Sequence, residues 1–221
     1  MQIEHLTFKG LRARPVVLKL KRPVTARIAT ITDWPVILID LYTEEGITGR
    51  SYLEPYVVKS MRYLVPALND FGEMLKGQQV TPVELHETAR KSLHFVGYGG
   101  LSMIAVSGLD MAAWDALAKA ANLPLCVLLG GSVGPVKSYN SNGMWLQEPA
   151  AVASEVLELR DEGGFKGLKL RLGREDPNLV QPVLLQAGPG RQRRARRTVP
   201  LGDHESQAAL VPALAGVPSI A

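Results

Sequence analysis

Residues 101–121, LSMIAVSGLDMAAWDALAKAA, read as a helix that is apolar on most faces. Ile104, Ala105, Leu109, Ala112, Trp114 and Leu117 are spread around it, so it has no single stripe to dock and needs cover on several sides. The spacing predicts a buried core helix. Pro124 ends it, and Leu125–Leu129 make one further turn closed by Gly130 and Gly131.

The cover has to come from the sequence before it. Ile3–Arg14 and Pro15–Lys21 are β-prone runs that Pro15 and Pro23 are expected to break. Residues 23–33 then read as a loop. Trp34–Thr43 is rich in Val, Ile and aromatic residues, Glu44-Glu45-Gly46 signals a turn, and Ile47–Tyr52 returns as the partner strand. Val57–Lys76 carries Met61, Leu64, Leu68, Phe71 and Leu75 at helical spacing. A second helix starts at Thr81-Pro82-Val83-Glu84, where Thr81 and Glu84 suit a capping box, and runs to about His94. Residues 1–134 are thus expected to form an α+β domain, an antiparallel meander plus helices.

After Gly131 the pattern alternates. Val136–Asn140 reads as a strand, Pro149–Glu162 as a helix and Gly167–Leu172 as a second strand. This β-α-β unit, residues 135–177, implies parallel strands with a right-handed crossover. From 178 to 221 no strand or helix period continues, and Ala, Gly, Pro and Arg dominate. That stretch is expected to be disordered, or read out of frame from GC-rich DNA, because binary patterning survives only in the selected frame.

With 46% hydrophobic and 21% charged residues in 221, the chain as a whole reads as globular rather than disordered. No eighteen-residue window is free of charges and breakers, so no membrane span is expected. The N-terminus MQIEHLTFKG has no basic-then-apolar leader, and Cys126 has no partner for a disulfide. A cytoplasmic location is the expectation. The tail carries +3 of the net charge of +4, through Arg191, Arg193, Arg194, Arg196 and Arg197 against Asp203 and Glu205. The body is close to neutral, so RQRRARR argues for no specific nucleic-acid surface.

Lys169-Leu170-Arg171 is the sharpest chemical signal. On a strand Lys169 and Arg171 share one face, while Leu168 and Leu170 face the helices. Two adjacent cations are costly to bury without a task, and a lysine so placed can act as a base or pair with a carboxylate. A solvated edge strand with two surface cations is the equally open alternative.

At PVTARIATITDWPVILIDL, GRSYLEPY, GLDMAAWDALAKAANLPLCVLLGG and GFKGLKLRLG the chain resembles the mandelate racemase / muconate lactonizing enzyme family of the enolase superfamily. The resemblance covers about residues 1–176. It implies a capping domain followed by the start of a (β/α) barrel that holds one Mg²⁺. The implied chemistry is abstraction of the proton α to a carboxylate, with the metal stabilising the enolate. It places Lys169 against the carboxylate and Arg171 at the acid/base position, where an arginine gives up its proton far less readily than a lysine. Acid-sugar dehydration is therefore implied at least as much as racemisation. Ser141 corresponds to a strand-end serine on the carboxylate. Val24, Ile31, Glu54 and Tyr56 correspond to capping-loop positions, and Glu54, where the racemase has an aromatic residue, implies a polar substrate. For each, surface packing is the competing reading.

The three carboxylate ligands and the histidine base that the resemblance requires find no counterpart. Only 87 residues follow residue 134, against roughly 250 for a full barrel. Asp203, His204 and Glu205 lie in the unpatterned stretch and read as chance. Hence no metal ligand is assigned, and the expectation is a barrel truncated after its second strand and inactive as this chain. His86 and His94 are too far apart for one metal and read as solvated or capping, His5 has no evident partner, Cys126 reads as a buried thiol, and Tyr98 reads at most as an interface residue. Three functions compete: an enzyme of small carboxylates (2-hydroxy acids or acid sugars), a non-catalytic capping module that self-associates into a homo-oligomer, and, most weakly, a nucleic-acid binder.

Overall fold

The computed structural model describes residues 5–26, 29–146, 148–165, 167–169, 171–172 and 196–197. Its elements are β1 (Phe8–Thr25), β2 (Thr30–Thr43), β3 (Thr48–Leu53), α1 (Met61–Met74), α2 (Pro82–Ser92), α3 (Leu101–Ala120), α4 (Leu125–Leu128), α5 (Pro149–Asp161), β4 (Arg171–Leu172) and β5 (Arg196–Arg197). The chain divides into two compact units. One comprises Met1–Lys19 with Asp33–Pro135, the other Leu20–Thr32 with Val136–Ala221.

The first unit is a three-stranded sheet, in the order β1-β2-β3, with helices. β2 and β3 pair antiparallel from Ile37 opposite Leu53 to Tyr42 opposite Thr48. Their turn is closed by Thr43, whose hydroxyl and amide both meet Ile47, and Gly46 takes the left-handed φ of +83° that the turn needs. Ile37, Ile39, Leu41 and Leu53 are buried with Leu64, Leu68, Phe71, Leu85 and Leu109. α3 is long and apolar enough to cross a membrane by length and composition alone, as a core helix also can be, and eight of its residues are buried. Those residues are mainly its small ones, because β3 approaches its backbone closely. Ser51 Oγ donates to the Gly108 carbonyl at 2.7 Å, and Lys119 Nζ donates to the Thr48 carbonyl at 2.9 Å.

Several expectations are corrected. Pro15 and Pro23 do not break β1, which runs unbroken for 18 residues. β1 is an edge strand, where a missing N–H costs no ladder bond on the outer side. Residues 30–33 belong to β2 rather than to a loop. No capping box forms at α2: Thr81 Oγ1 donates to the Glu84 carboxylate at 2.7 Å, so the two side chains satisfy each other instead of the backbone. Cys126 is exposed rather than buried, since α4 buries none of its side chains.

In the second unit, Met144, Val152, Val156 and Leu159 form a small core with Leu168 packed against it. Of the strand expected at 136–140, only Asn140 pairs, in a parallel bridge with Leu168. Val136 and Tyr139 are exposed, so nothing extends the ladder backward. β4 pairs parallel with β5, Arg171 opposite Arg196. The remainder of the 178–221 stretch lies outside the described residues.

Candidate functional site

Two main-chain bonds set the geometry of the second unit. The Asn140 amide donates to the Gly167 carbonyl at 2.8 Å, and the Lys169 amide donates to the Asn140 carbonyl at 3.0 Å. This is the slanted pattern of a parallel ladder. Asn140 is buried, its Nδ2 donating to the Leu159 carbonyl at 3.3 Å, and Leu168 packs against α5. Successive side chains alternate faces, so Ser141 and Lys169 share the face opposite α5. Both are half-buried.

The strand ends at once. Asn140 Oδ1 accepts from the Asn142 amide at 3.0 Å, turning the chain just after Ser141. The turn is then tied down by Glu155, which accepts the Met144 amide at 2.6 Å while Met144 holds a φ of +53°. A Cβ at Gly143 would lie 2.8 Å from Glu155 Oε1, so the site admits only glycine without rearrangement. The Leu146 amide donates to the Thr25 carbonyl at 3.2 Å, which brings the end of β1, with half-buried Val24, beside this turn.

Of the candidate residues, Val24, Ile31, Ser141 and Lys169 lie in this unit, Ile31 half-buried on β2. Arg171 is in β4, and its side chain lies outside the described residues, as does Leu170. Glu54 and Tyr56 belong to the first unit and are exposed. Tyr56 has a φ of +62°, uncommon for a bulky residue, and its ring meets Trp34 edge-on at 5.9 Å. A concavity of about 480 Å³ in the first unit, lined by Arg14, Asp40, Tyr42, Arg50 and Tyr52 among others, involves none of the candidates. His86 is not merely solvated: its Nε2 lies 3.1 Å from Tyr98 Oη and its Nδ1 3.7 Å from Asp110.

Sequence reasoning missed the charged framework around this site. Arg22, with a side chain only 12% exposed, meets Glu162 at 2.9 Å and Glu155 and Glu158 at 3.5 Å each. Glu155 and Glu158 lie on α5 and Glu162 just past its end, and the acids at this spacing with the basic run Lys19–Arg22 were the available signal. Burial pushes the Glu162 carboxyl up, but the hydrogen bond and charge of Arg22, with Lys21 and the Asn140 side chain, outweigh it and hold Glu162 below the usual range. Among the described residues no three His, Cys, Asp or Glu side chains are grouped to hold a metal. The described residues therefore do not fit a Mg²⁺ site.

Residues 9–130 match the mandelate racemase / muconate lactonizing enzyme N-terminal domain. The chain is 33% identical over 172 residues to D-galactonate dehydratase of Variovorax paradoxus, covering 77% of this chain and 42% of that one. It is 27% identical over 163 residues to L-talarate/galactarate dehydratase of Salmonella typhimurium, covering 72% and 40%. The chain thus spans about two-fifths of the length of these curated relatives. Among solved structures, an enolase from the alpha-proteobacterium bal199 with bound magnesium is 58% identical, with a TM-score of 0.85 over 95% of this chain and 59% of that one. An enolase from Bradyrhizobium complexed with magnesium and mandelic acid is 34% identical, with a TM-score of 0.72 over 83% and 50%.

Proposed function

This chain belongs to the mandelate racemase / muconate lactonizing enzyme family, and we propose that it serves the family's chemistry on a small carboxylate, a 2-hydroxy acid or an acid sugar. Relatives that act on galactonate or talarate/galactarate, and a neighbour complexed with mandelic acid, support that substrate class. The observation that supports the reading is the register of Asn140 opposite Leu168, from which strand alternation would turn Ser141 and Lys169 to one face. A hydroxyl and an ammonium side by side suit a carboxylate: Ser141 donates a hydrogen bond and Lys169 supplies the charge. Arg171, two residues beyond Lys169 in the sequence, is the second basic position that the family resemblance assigns. Val24 and Ile31, in the same unit as Ser141 and Lys169, are the candidates to contact the remainder of the substrate. Mg²⁺ supplies enolate stabilisation in the family. No step is assigned to it here, because the described residues offer it no ligand set.

We infer that Lys169 and Ser141 carry this carboxylate binding, the one by charge and the other by hydrogen bond. Titration of the chain with galactarate or mandelate is the test. Saturable binding that falls about tenfold in Lys169→Ala supports the reading, as loss of one charge-assisted bond predicts. Binding that Lys169→Ala and Ser141→Ala both leave unchanged overturns it.

A further inference from the structure

The end of β1 is held in the second unit by a charge cluster that the carboxylate-binding reading does not use. Arg22 is a mostly buried guanidinium facing two carboxylates of α5 and one just past its end, with Nη1 on Glu162 at 2.9 Å, Nε on Glu155 at 3.5 Å and Nη2 on Glu158 at 3.5 Å. Lys21, beside it on the strand, reaches Glu162 at 3.7 Å. Three acids gathered here repel one another, and Arg22 is the cation that meets all three. Each acid is differently engaged. Glu158 is largely exposed, with a 68% exposed side chain, whereas Glu155 is 16% exposed and also holds the Met144 amide.

Two connections run from this cluster to the candidate site. Through Glu155, Arg22 is linked to the turn at 143–146, where the Leu146 amide returns to the Thr25 carbonyl of the same strand end. Through Glu162 it is linked to the Asn140 side chain, whose own main chain pairs with Gly167 and Lys169. The second ends on Asn140, next to Ser141 and paired with Lys169, and the first on the turn three to five residues beyond Ser141.

We propose that Arg22 is a positioning residue: by clamping the end of β1 onto α5 it fixes Val24 beside the 143–146 turn and sets the strand end that presents Ser141 and Lys169. Its effect on ligand binding rests on the carboxylate-binding reading above; its effect on the geometry does not. Arg22 touches no substrate in this account and acts only through Glu155, Glu162 and Asn140. Lysine is a poor substitute, because a single ammonium cannot meet three carboxylates in fixed directions.

The test compares the full chain with Arg22→Ala, Arg22→Lys, Glu162→Gln and Glu158→Gln, by amide hydrogen exchange and by galactarate titration. Expected for Arg22→Ala is about tenfold faster exchange at the Leu146 and Lys169 amides, with the amides of β3 and α3 unchanged. Arg22→Lys should fall between wild type and Arg22→Ala. Glu162→Gln, which keeps the shape and removes the charge, should reproduce the acceleration even if Arg22→Ala fails to fold. Glu158→Gln should resemble wild type. Galactarate affinity should fall in step with the exchange while the urea midpoint of the first unit stays fixed. Unchanged exchange at Leu146 and Lys169 in both Arg22→Ala and Glu162→Gln overturns the proposal, as does equal acceleration throughout the chain. If wild type binds no carboxylate but the local acceleration is present, the clamp stands and the carboxylate reading falls.

Discussion

Gly49 of β3 lies so close to Ala112 of α3 that a Cβ on Gly49 would sit 2.0 Å from the Ala112 carbonyl oxygen. That oxygen belongs to the helix backbone and cannot turn aside. Gly49→Ala should therefore push strand and helix apart and cost about 3 kcal/mol, the upper end of ordinary overpacking. At Gly108 the added Cβ meets the flexible ends of Ile39 and Leu53, at 2.6 and 2.9 Å, so Gly108→Ala should cost only about 1 kcal/mol. Urea unfolding of the two variants checks the ordering; a Gly49→Ala protein as stable as wild type would show that the close approach is absent.

That contact also shows what was legible in the sequence. The buried helix at 101–121, the β2–β3 hairpin and α5 follow from apolar spacing and turn residues, since such patterns report which face is covered. What covers α3 was not legible, because a stripe of alanines and glycines looks the same whether strand or helix lies against it. The β1 strand was misread at Pro15 and Pro23, because the cost of proline depends on whether a strand is at an edge, and that is a property of the sheet. At the candidate site, Lys169 and Ser141 are named from the sequence, whereas Asn140 and Arg22 are not. Their roles depend on partners 19 to 140 positions away, Leu159 and Glu162 respectively.

Asp40 is buried on the sheet face opposite the helices, between Arg14 at 2.6 Å and Arg50 at 3.3 Å. Removing the carboxylate leaves the guanidiniums of Arg14 on β1 and Arg50 on β3, either side of β2, without their shared counter-charge. Asp40→Ala should destabilise by about 1–2 kcal/mol, since the arginine side chains it leaves are 43% and 73% exposed and stay hydrated. Arg50 is largely exposed, so Arg50→Ala should cost well under half of that. Comparing the two denaturation midpoints tests the asymmetry.

Acid should weaken the fold through two named glutamates. Glu45 accepts the Thr7 amide at 2.9 Å, and that bond, against an opposing burial effect, holds its carboxyl below the usual range; Glu162 is lowered chiefly by Arg22 against its burial. Both carboxyls bind protons less readily folded than unfolded. Their stabilisation is present above the ordinary glutamate range and is lost as pH falls through the lowered folded values. Stability measured from pH 7 to 3 should decline, and Glu45→Gln should decline less steeply than wild type.

Asp110 has the opposite sign. Burial raises its carboxyl, and the charge of His86 and the hydrogen bond from Trp114 only partly offset this. Its folded form holds the proton more tightly than the unfolded form, so stability falls as pH rises through that range. Asp110→Asn should raise the denaturation midpoint at pH 7, and the gain should vanish in acid. A variant less stable than wild type at pH 7 would show that the contact with His86 outweighs burial.

The central claim is that Ser141 and Lys169 present one carboxylate-binding face. Its most direct test is amide NMR of the ¹⁵N-labelled chain titrated with galactarate, with mandelate as a second ligand. The account predicts saturable shifts at Ser141 and Lys169 and their neighbours Asn140 and Asn142, abolished in Lys169→Ala while the β2 and α3 resonances stay in place. Shifts absent at these residues up to saturating ligand, or identical in wild type and Lys169→Ala, would contradict it.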